Sequence, residues 1–510
     1  MLITEDLLLH YKRCPRRAFL DIYNDPNSKD RDQDFLLKLR QDSLAHRQSI
    51  LALTTVQRPY YPSRDWQAGA NATLELMQQG VEQITKGVLM LSLSDDLAVP
   101  SFNSLSYNHG NDLPLVTSGS PIAVTLVAYP DLLTKHPGKS DFGDWIYVPT
   151  TIKLGRRPKP EYQIVAALQA QLLAATQGVW SETAQLILRN QDSYSVKLER
   201  WVPQMQTVLK NCIETLLASP APEVFISRHR CSLCHWYSDC YAQAQAQQHL
   251  SLLPGVTPSR YQDLQMLNLT TPESLANASP AQLETVFDGE LTTQLIRQAQ
   301  AVVQNRAILK TDSPTSGALT IPSALVELYF DIEAEPERHL DYLLGVLVVE
   351  REAERERFYP FLAEQPFEEA AIWQQFLELV ARYPDAPIFH YSDYEVDTVK
   401  RLAKLYETPR SSVKSLLSRF VDVHQCVMGT VTFPVESYSL KHLAHWLGFE
   451  WRDAGASGAQ CVWWYDQWLR TGDRTLLEAI LRYNEDDCRA TYRLKTWLCE
   501  FLQAAATNCN

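Results

Sequence analysis

Positive charge is the first thing this chain is short of. It has 47 Lys and Arg against 60 Asp and Glu, a formal net charge of −13. A chain so acidic is not built to coat nucleic acid non-specifically. No run of residues is apolar for the length needed to cross a bilayer, so no membrane partner is expected. No secretory leader is legible, which points to a cytoplasmic setting where the ten cysteines would not pair as disulfides. Internal repeats and long low-complexity segments are also missing. What is present is 510 residues, 45% hydrophobic and 10% aromatic. That is too long for one ordinary core and suggests two or three domains.

Carboxylates near the C-terminus carry the strongest chemical signal. Val326 to Glu333 reads Val-Glu-Leu-Tyr-Phe-Asp-Ile-Glu. At the end of an apolar strand, Asp331 and Glu333 would point to one side, because side chains repeat every second residue. Tyr342 to Val349 supplies a second strand directly afterwards. Further on, Tyr483-Asn-Glu-Asp-Asp487 places a phenol and a carboxylate four residues apart, on one face of a helix. Brought together, the two groups would hold two divalent cations, which clamp the attacking and leaving oxygens of a phosphodiester.

This pattern resembles the DEDD-type exonucleases of RNase H-like fold, in the variety with a Tyr in the last motif. Asp331 and Glu333 match the first motif, and Tyr483 with Asp487 the last. The middle motif, normally an Asp after a short strand, falls in Ile388-Phe-His-Tyr-Ser-Asp-Tyr-Glu395. There His390 ends the strand and Glu395 stands in the place of the Asp. Glu can ligate a hard cation through oxygen, although Asp422 in Arg-Phe-Val-Asp-Val-His is a rival for the role. The resemblance implies two Mg²⁺ or Mn²⁺ among Asp331, Glu333, Glu395 and Asp487. It also implies that Tyr483 orients the attacking water and that digestion runs 3′ to 5′.

Cysteines carry the second signal. Cys231, Cys234 and Cys240 follow the spacing C-x2-C-x5-C, and Cys14 in Tyr-Lys-Arg-Cys-Pro-Arg-Arg is the candidate fourth ligand. Four thiolates suit an iron–sulfur cluster or zinc. The set resembles RecB-type nucleases with an iron–sulfur staple, a group that includes CRISPR adaptation nucleases and the AddB subunit. That resemblance implies a 4Fe-4S cluster tying the two ends of the domain together. It also implies an active site between the cysteines, onto which His46, Asp131 and Lys153 map. The family's Glu two residues before the Lys is Thr151 here, and Glu161 is a poor replacement. The module is therefore expected to keep its fold and to have weakened cutting power. Cys212, Cys426, Cys461, Cys488, Cys499 and Cys509 are scattered and read as packing residues or exposed thiols.

Together these features resemble a family of RecB-like nucleases with an RNase H-like domain of the YprB type at the C-terminus. The expected fold is multidomain α/β. A PD-(D/E)xK module would occupy residues 1–245, a helical, helix–hairpin–helix-like connector 246–310, and an RNase H-like domain 320–505. The connector reading rests on the Gly turn in Leu253-Pro-Gly-Val-Thr-Pro and on Thr271 as a cap before Pro272. Thr311 to Ala318 reads as a polar linker. Three basic clusters could track phosphates: Lys12, Arg13, Arg16 and Arg17; Lys153, Arg156, Arg157 and Lys159; and Arg228 to Arg230. The aromatic run Trp463, Trp464, Tyr465 and Trp468 reads as core packing on a helix. The expected function is a metal-dependent nuclease acting on nucleic acid ends or single strands, with DNA versus RNA and any helicase partner left open. A non-catalytic nucleic-acid-binding scaffold is the alternative.

Overall fold

A computed structural model describes residues 1–93, 123–310 and 321–508. The linker reading at Thr311 to Ala318, Cys509 and the side chain of His229 lie outside the described residues. The chain divides into two compact units, residues 1–224 with 228–240, and 225–227 with 241–510. Among the described residues no helix is long and apolar enough to cross a membrane.

In the first unit, strand β1 (Leu2–Thr4) runs into helix α1 (Glu5–Arg13). Thr4 caps that helix by accepting from the Leu7 N–H at 3.2 Å. Cys14 is extended, and Pro15 then opens α2 (Pro15–Tyr23), where a missing N–H costs nothing. Helices α3 (Asp34–Leu51) and α4 (Trp66–Gln78) precede strands β2 (Gln83–Thr85), β3 (Leu89–Leu93) and β4 (Val124–Ala128). Strand β4 pairs in parallel with β1 and antiparallel with β3. A second sheet has the order β2-β5-β6-β7-β8, formed with β5 (Leu132–Ser140), β6 (Gly143–Ile152), β7 (Thr183–Ile187) and β8 (Ser193–Lys197). Strands β6 and β7 are parallel, and α5 (Pro160–Gln177) makes the crossover between them. Helix α5 is buried on nearly every side, from Tyr162 through Ala174, and so lies at the centre of this core. Helix α6 (Leu198–Leu217) packs on it. The cysteine trio sits on α7 (Arg228–Cys231), the turn after it, and the start of α8 (Tyr237–Ala246).

The second unit begins with helices α9 (Pro258–Met266), α10 (Pro272–Ala276), α11 (Pro280–Leu283) and α12 (Gly289–Gln304). Thr271 caps α10 in a reciprocal box with Ser274, as the sequence leads one to expect. These helices share a small core of Leu250, Leu264, Leu275, Leu283 and Leu295. They do not form a free spacer. On α12, Gln298 donates to the Phe433 carbonyl at 2.8 Å and accepts from the Tyr438 hydroxyl at 2.9 Å. Strand β9 (Ile308–Leu309) then leads to the main sheet.

That sheet has the order β12-β11-β10-β13-β14. Its strands are β10 (Val326–Glu335), β11 (Leu340–Glu350), β12 (Arg355–Leu362), β13 (Ile388–His390) and β14 (Phe420–Asp422). The first three form an antiparallel meander, while β13 and β14 run parallel to β10. Strand β11 is buried almost end to end, which marks a sheet covered on both faces. One face carries Leu328, Phe330 and Ile332 against α13 (Glu369–Ala381) and α14 (Tyr394–Leu405). Beyond α15 (Arg410–Leu417), the other face packs Tyr329, Leu347 and Phe389 against α16 (Val423–Thr430). Strand β15 (Val431–Thr432) pairs with β9. Helices α17 (Leu440–Trp446), α18 (Gly458–Thr471) and the long α19 (Arg474–Asn508) complete the unit. The aromatic run lies on α18, with Tyr465 buried and Trp464 and Trp468 packed against the core.

Strand β10 continues two residues past Glu333, so Asp331 and Glu333 stand in the body of the strand rather than at its end. The register shifts just after Glu333, where the strand would otherwise carry its carboxylates on in one row. Helix α19 is locked to β10 by a buried ion pair, Lys495 Nζ to Glu327 Oε1 at 2.7 Å. Burial alone would raise the Glu327 carboxyl, but Lys495, Tyr329 and Arg351 hold it below the usual range. Lys495→Ala leaves that buried carboxylate with the Tyr329 hydroxyl and, as its remaining ion-pair partner, the half-exposed Arg351. The expected loss in chemical denaturation is about 3 kcal/mol or more. The double variant Glu327→Gln, Lys495→Met should recover much of it. Equal losses in the single and double variants would show that the pair does not act as one.

Candidate metal centre

Three carboxylates converge where α19 crosses β10. Ligand oxygens of Asp331, Glu333 and Asp487 lie within 4.8 Å of one another. Among the described residues this is the only such group of three or more His, Cys, Asp or Glu side chains. Asp331 and Glu333 share a face because they are two apart on a strand. Asp487 reaches them from α19, and Tyr483, one turn earlier, hydrogen-bonds to it. Burial and mutual repulsion push the Asp331 and Glu333 carboxyls well above the usual range, and burial takes Asp487 up to about 7. Such a set is unfavourable without a cation. Clustered hard oxygens fit Mg²⁺ or Mn²⁺.

Four further residues aim these carboxylates. The Asn484 amide donates to Asp331 Oδ2 at 2.6 Å. Room for Asn484 comes from Gly345, which pairs with Asp331 across β11. A Cβ at Gly345 would stand 1.6 Å from the Asn484 oxygen, so no larger residue fits. The Trp451 indole donates to Asp487 Oδ1 at 2.8 Å. The buried Cys461 thiol, on α18, hydrogen-bonds to Glu333.

Glu395 is buried near the start of α14, and its charge acts on Asp331, but it stands outside the close triad. Its Oε2 is buried without a hydrogen bond, 3.5 Å from His390 Nδ1, which already bonds the Ser392 carbonyl at 2.7 Å. Ser392 turns the chain there with φ of +93°, a costly conformation for a side chain with a Cβ. Its N–H is fixed by Asp422 Oδ1 at 3.1 Å. The same Asp422 oxygen caps α16 through the His424 and Gln425 N–H groups. Asp422 is thus engaged in structure, while Glu395 Oε2 has only the long approach of His390, at 3.5 Å.

Comparison with known families agrees with this geometry. A model of the RNase H superfamily matches residues 328–499, the span from the first carboxylate strand through α19. Residues 328–499 form an RNase H-like domain. No curated protein matches the chain.

The first-unit residues meet differently. Asp131 follows β4, and Lys153, just after β6, lies near it. His46 lies on α3, but its ring rests against the Leu188 backbone and Arg189. Its neighbour Arg47 pairs with Asp131 Oδ1 at 2.8 Å, and the Ile152 N–H takes Oδ2 at 2.7 Å. Thr151 is buried and donates to Gln169 at 2.7 Å, and Gln169 in turn donates to Glu5 at 2.9 Å. Burial raises the Glu5 carboxyl to about 7, and Lys153 pulls against that rise. Glu161 instead faces Arg13 at 3.6 Å. Glu5 escaped the sequence reading because an acid in the first turn of a helix usually serves the helix end.

None of the nine described cysteines is in a disulfide. Cys14 and Cys234 both act on the Cys240 thiol, and Arg16 and Arg17 lie among them. The four thiols do not close to within 4.8 Å, whereas zinc at about 2.3 Å from each sulfur would need a closer set. Several residues of the basic clusters are structural. Arg16 is buried on the Pro222 carbonyl, and Arg230 donates to the Arg13 carbonyl. Arg156, Arg157 and Lys159 remain exposed.

Crowded buried carboxylates give a testable pH dependence. Their folded pKa values are raised, so the folded state holds protons that the unfolded chain releases. Stability without metal should therefore fall as pH rises from about 4 towards 7. Asp487→Asn removes one charge from the cluster. In chelator it should raise the melting temperature at neutral pH, and the gain should fade towards about pH 4. A variant no more stable than wild type at neutral pH would show that the cluster is not strained.

Proposed function

We propose that this protein is a metal-dependent nuclease whose C-terminal domain cuts phosphodiester bonds of nucleic acid ends or single strands, releasing nucleotides from the 3′ side. The observation that carries the reading is the buried triad Asp331, Glu333 and Asp487 with Tyr483 bonded to it. The 3′ to 5′ direction comes from the resemblance to DEDD-type exonucleases. Bound Mg²⁺ or Mn²⁺ would activate the attacking water and neutralise charge on the leaving oxygen. Asp331, Glu333 and Asp487 would hold the ions, with Glu395 as a fourth ligand. Burial and the surrounding carboxylates push the Tyr483 phenol far up, so it stays protonated and orients the water rather than acting as a base.

The first unit, in this reading, binds and feeds the strand and has lost its own cutting. Arg47 fills the place beside Asp131 that a cation would need, and Thr151 supplies no carboxylate. The four thiols of Cys14, Cys231, Cys234 and Cys240 would hold a 4Fe-4S cluster as a staple, with zinc as the alternative. Burial raises the Cys234 and Cys240 thiols, and Arg17 and Arg16 beside them pull back towards the thiolate form that either group requires.

Purified protein with end-labelled single- and double-stranded DNA and RNA is the direct test. Cleavage should need Mg²⁺ or Mn²⁺ and stop with chelator. Asp331→Ala should abolish it, and Lys153→Ala should leave most of it. The reverse result would move the active site to the first unit, with Glu5 as its carboxylate. Tyr483→Phe should slow single-turnover cleavage by something on the order of tenfold to a thousandfold. Unchanged turnover would make Tyr483 a packing residue.

Protein isolated without oxygen should be brown, and Cys234→Ala should bleach it and loosen the first unit. A colourless protein with stoichiometric zinc would overturn the iron–sulfur assignment.

A further inference from the structure

One charged side chain at the metal centre has no part in the scheme above. Lys441 lies on α17, whose rotation is fixed by the Ser439 cap and by the buried Leu443 and Ala444. Its ammonium stands 4.9 Å from the centre of the Tyr483 ring and 5.4 Å from that of Trp451. It donates to the Ala456 carbonyl. Burial lowers the Lys441 ammonium from its usual range and the charges of Asp487 and Glu333 oppose that fall, yet it is seated by two aromatic faces and a carbonyl. That seat fixes a half-buried cation beside the acids with donors to spare.

We propose that Lys441 is a catalytic residue of the C-terminal site and that its ammonium binds a non-bridging oxygen of the phosphate under attack. This rests on the nuclease reading given above. Four carboxylates and two divalent cations cancel, so the incoming phosphodiester is the uncompensated charge, and that charge grows on the way to the transition state. A fixed ammonium at the rim of the site answers it without any rearrangement. The Trp451 and Tyr483 rings keep the ammonium from folding back onto the carboxylates it would otherwise neutralise. Trp451 and Tyr483 also bond Asp487, so the phosphate-binding cation and the metal-binding carboxylate are held in one frame.

The test compares Lys441→Met, which keeps the stem between the rings, with Lys441→Arg, which keeps the charge. Three quantities are read on the full chain: Mn²⁺ affinity, affinity for a nucleoside 5′-monophosphate in saturating Mn²⁺, and single-turnover cleavage. Melting temperature confirms that both variants fold. Lys441→Met should bind Mn²⁺ as tightly as wild type or more tightly, because a competing cation is gone. It should bind the monophosphate at least several-fold more weakly and cut on the order of a hundredfold more slowly. Lys441→Arg should regain a substantial part of both. Wild-type monophosphate binding and cleavage in Lys441→Met would overturn the assignment. Loss of Mn²⁺ affinity as the main defect would overturn it too, by making Lys441 a support for the carboxylates. Asp331→Ala, run in parallel, separates the two readings. If it is inactive while Lys441→Met is normal, only the role of Lys441 fails. If it cuts like wild type, the C-terminal domain is not the cutting site, and the role of Lys441 fails with that reading.

Discussion

Everything at the metal centre depends on how helix α19 lies across strand β10. Three rungs fix it. Lys495 meets Glu327, the Tyr492 ring packs 5.0 Å from that of Tyr329, and Asn484 meets Asp331. The helix numbers fall as the strand numbers rise. Four strand residues at about 3.3 Å each span about 13 Å, and eleven helix residues at about 1.5 Å each span about 16 Å, a mismatch that long side chains bridge. The rungs can therefore all close in one register. The Asp331–Glu333 stretch of the strand then faces the helix turn that carries Tyr483, Asn484 and Asp487. A slip of a single residue would turn Asp331 and Glu333 to the other face of the sheet, into the apolar cluster of Leu328, Phe330 and Phe376.

This locking opposes a local cost. Three carboxylates crowded together repel one another, and Lys441 offers a positive charge nearby. The surroundings hold them in place regardless. Arg452 ties the loop carrying Trp451 to α19 through Asp486 at 2.8 Å, and Arg482 reaches back to Asp453 at 2.9 Å. Gly345 leaves room for Asn484, and Cys461 holds Glu333. The arrangement stores unfavourable charge at the place where cations would release it, as active sites commonly do.

How much of this was legible in the sequence follows from distance along the chain. Asp331 with Glu333, and Tyr483 with Asp487, are pairs set by local periodicity, so their shared faces could be read directly. Asn484, Trp451, Cys461 and Lys441 meet the carboxylates only after loops and helices fold back, and no spacing announces that. Glu395 was readable as an acid after a short strand. Its advantage over Asp422 appears only in the caps that occupy Asp422. In the first unit the order of Asp131 and Lys153 was legible. One step of about 100° around α3 puts Arg47, not His46, on Asp131. The withdrawal of Thr151 into Gln169 and Glu5 needs contacts between β6, α5 and α1 that no local pattern encodes.

Anomalous scattering at the manganese edge, from crystals of the protein grown with Mn²⁺, tests the central claim most directly. The account requires manganese between Asp331, Glu333 and Asp487, with a second ion reached by Glu395. Manganese absent from that cluster, or bound instead between Glu5 and Asp131 in the first unit, would contradict it.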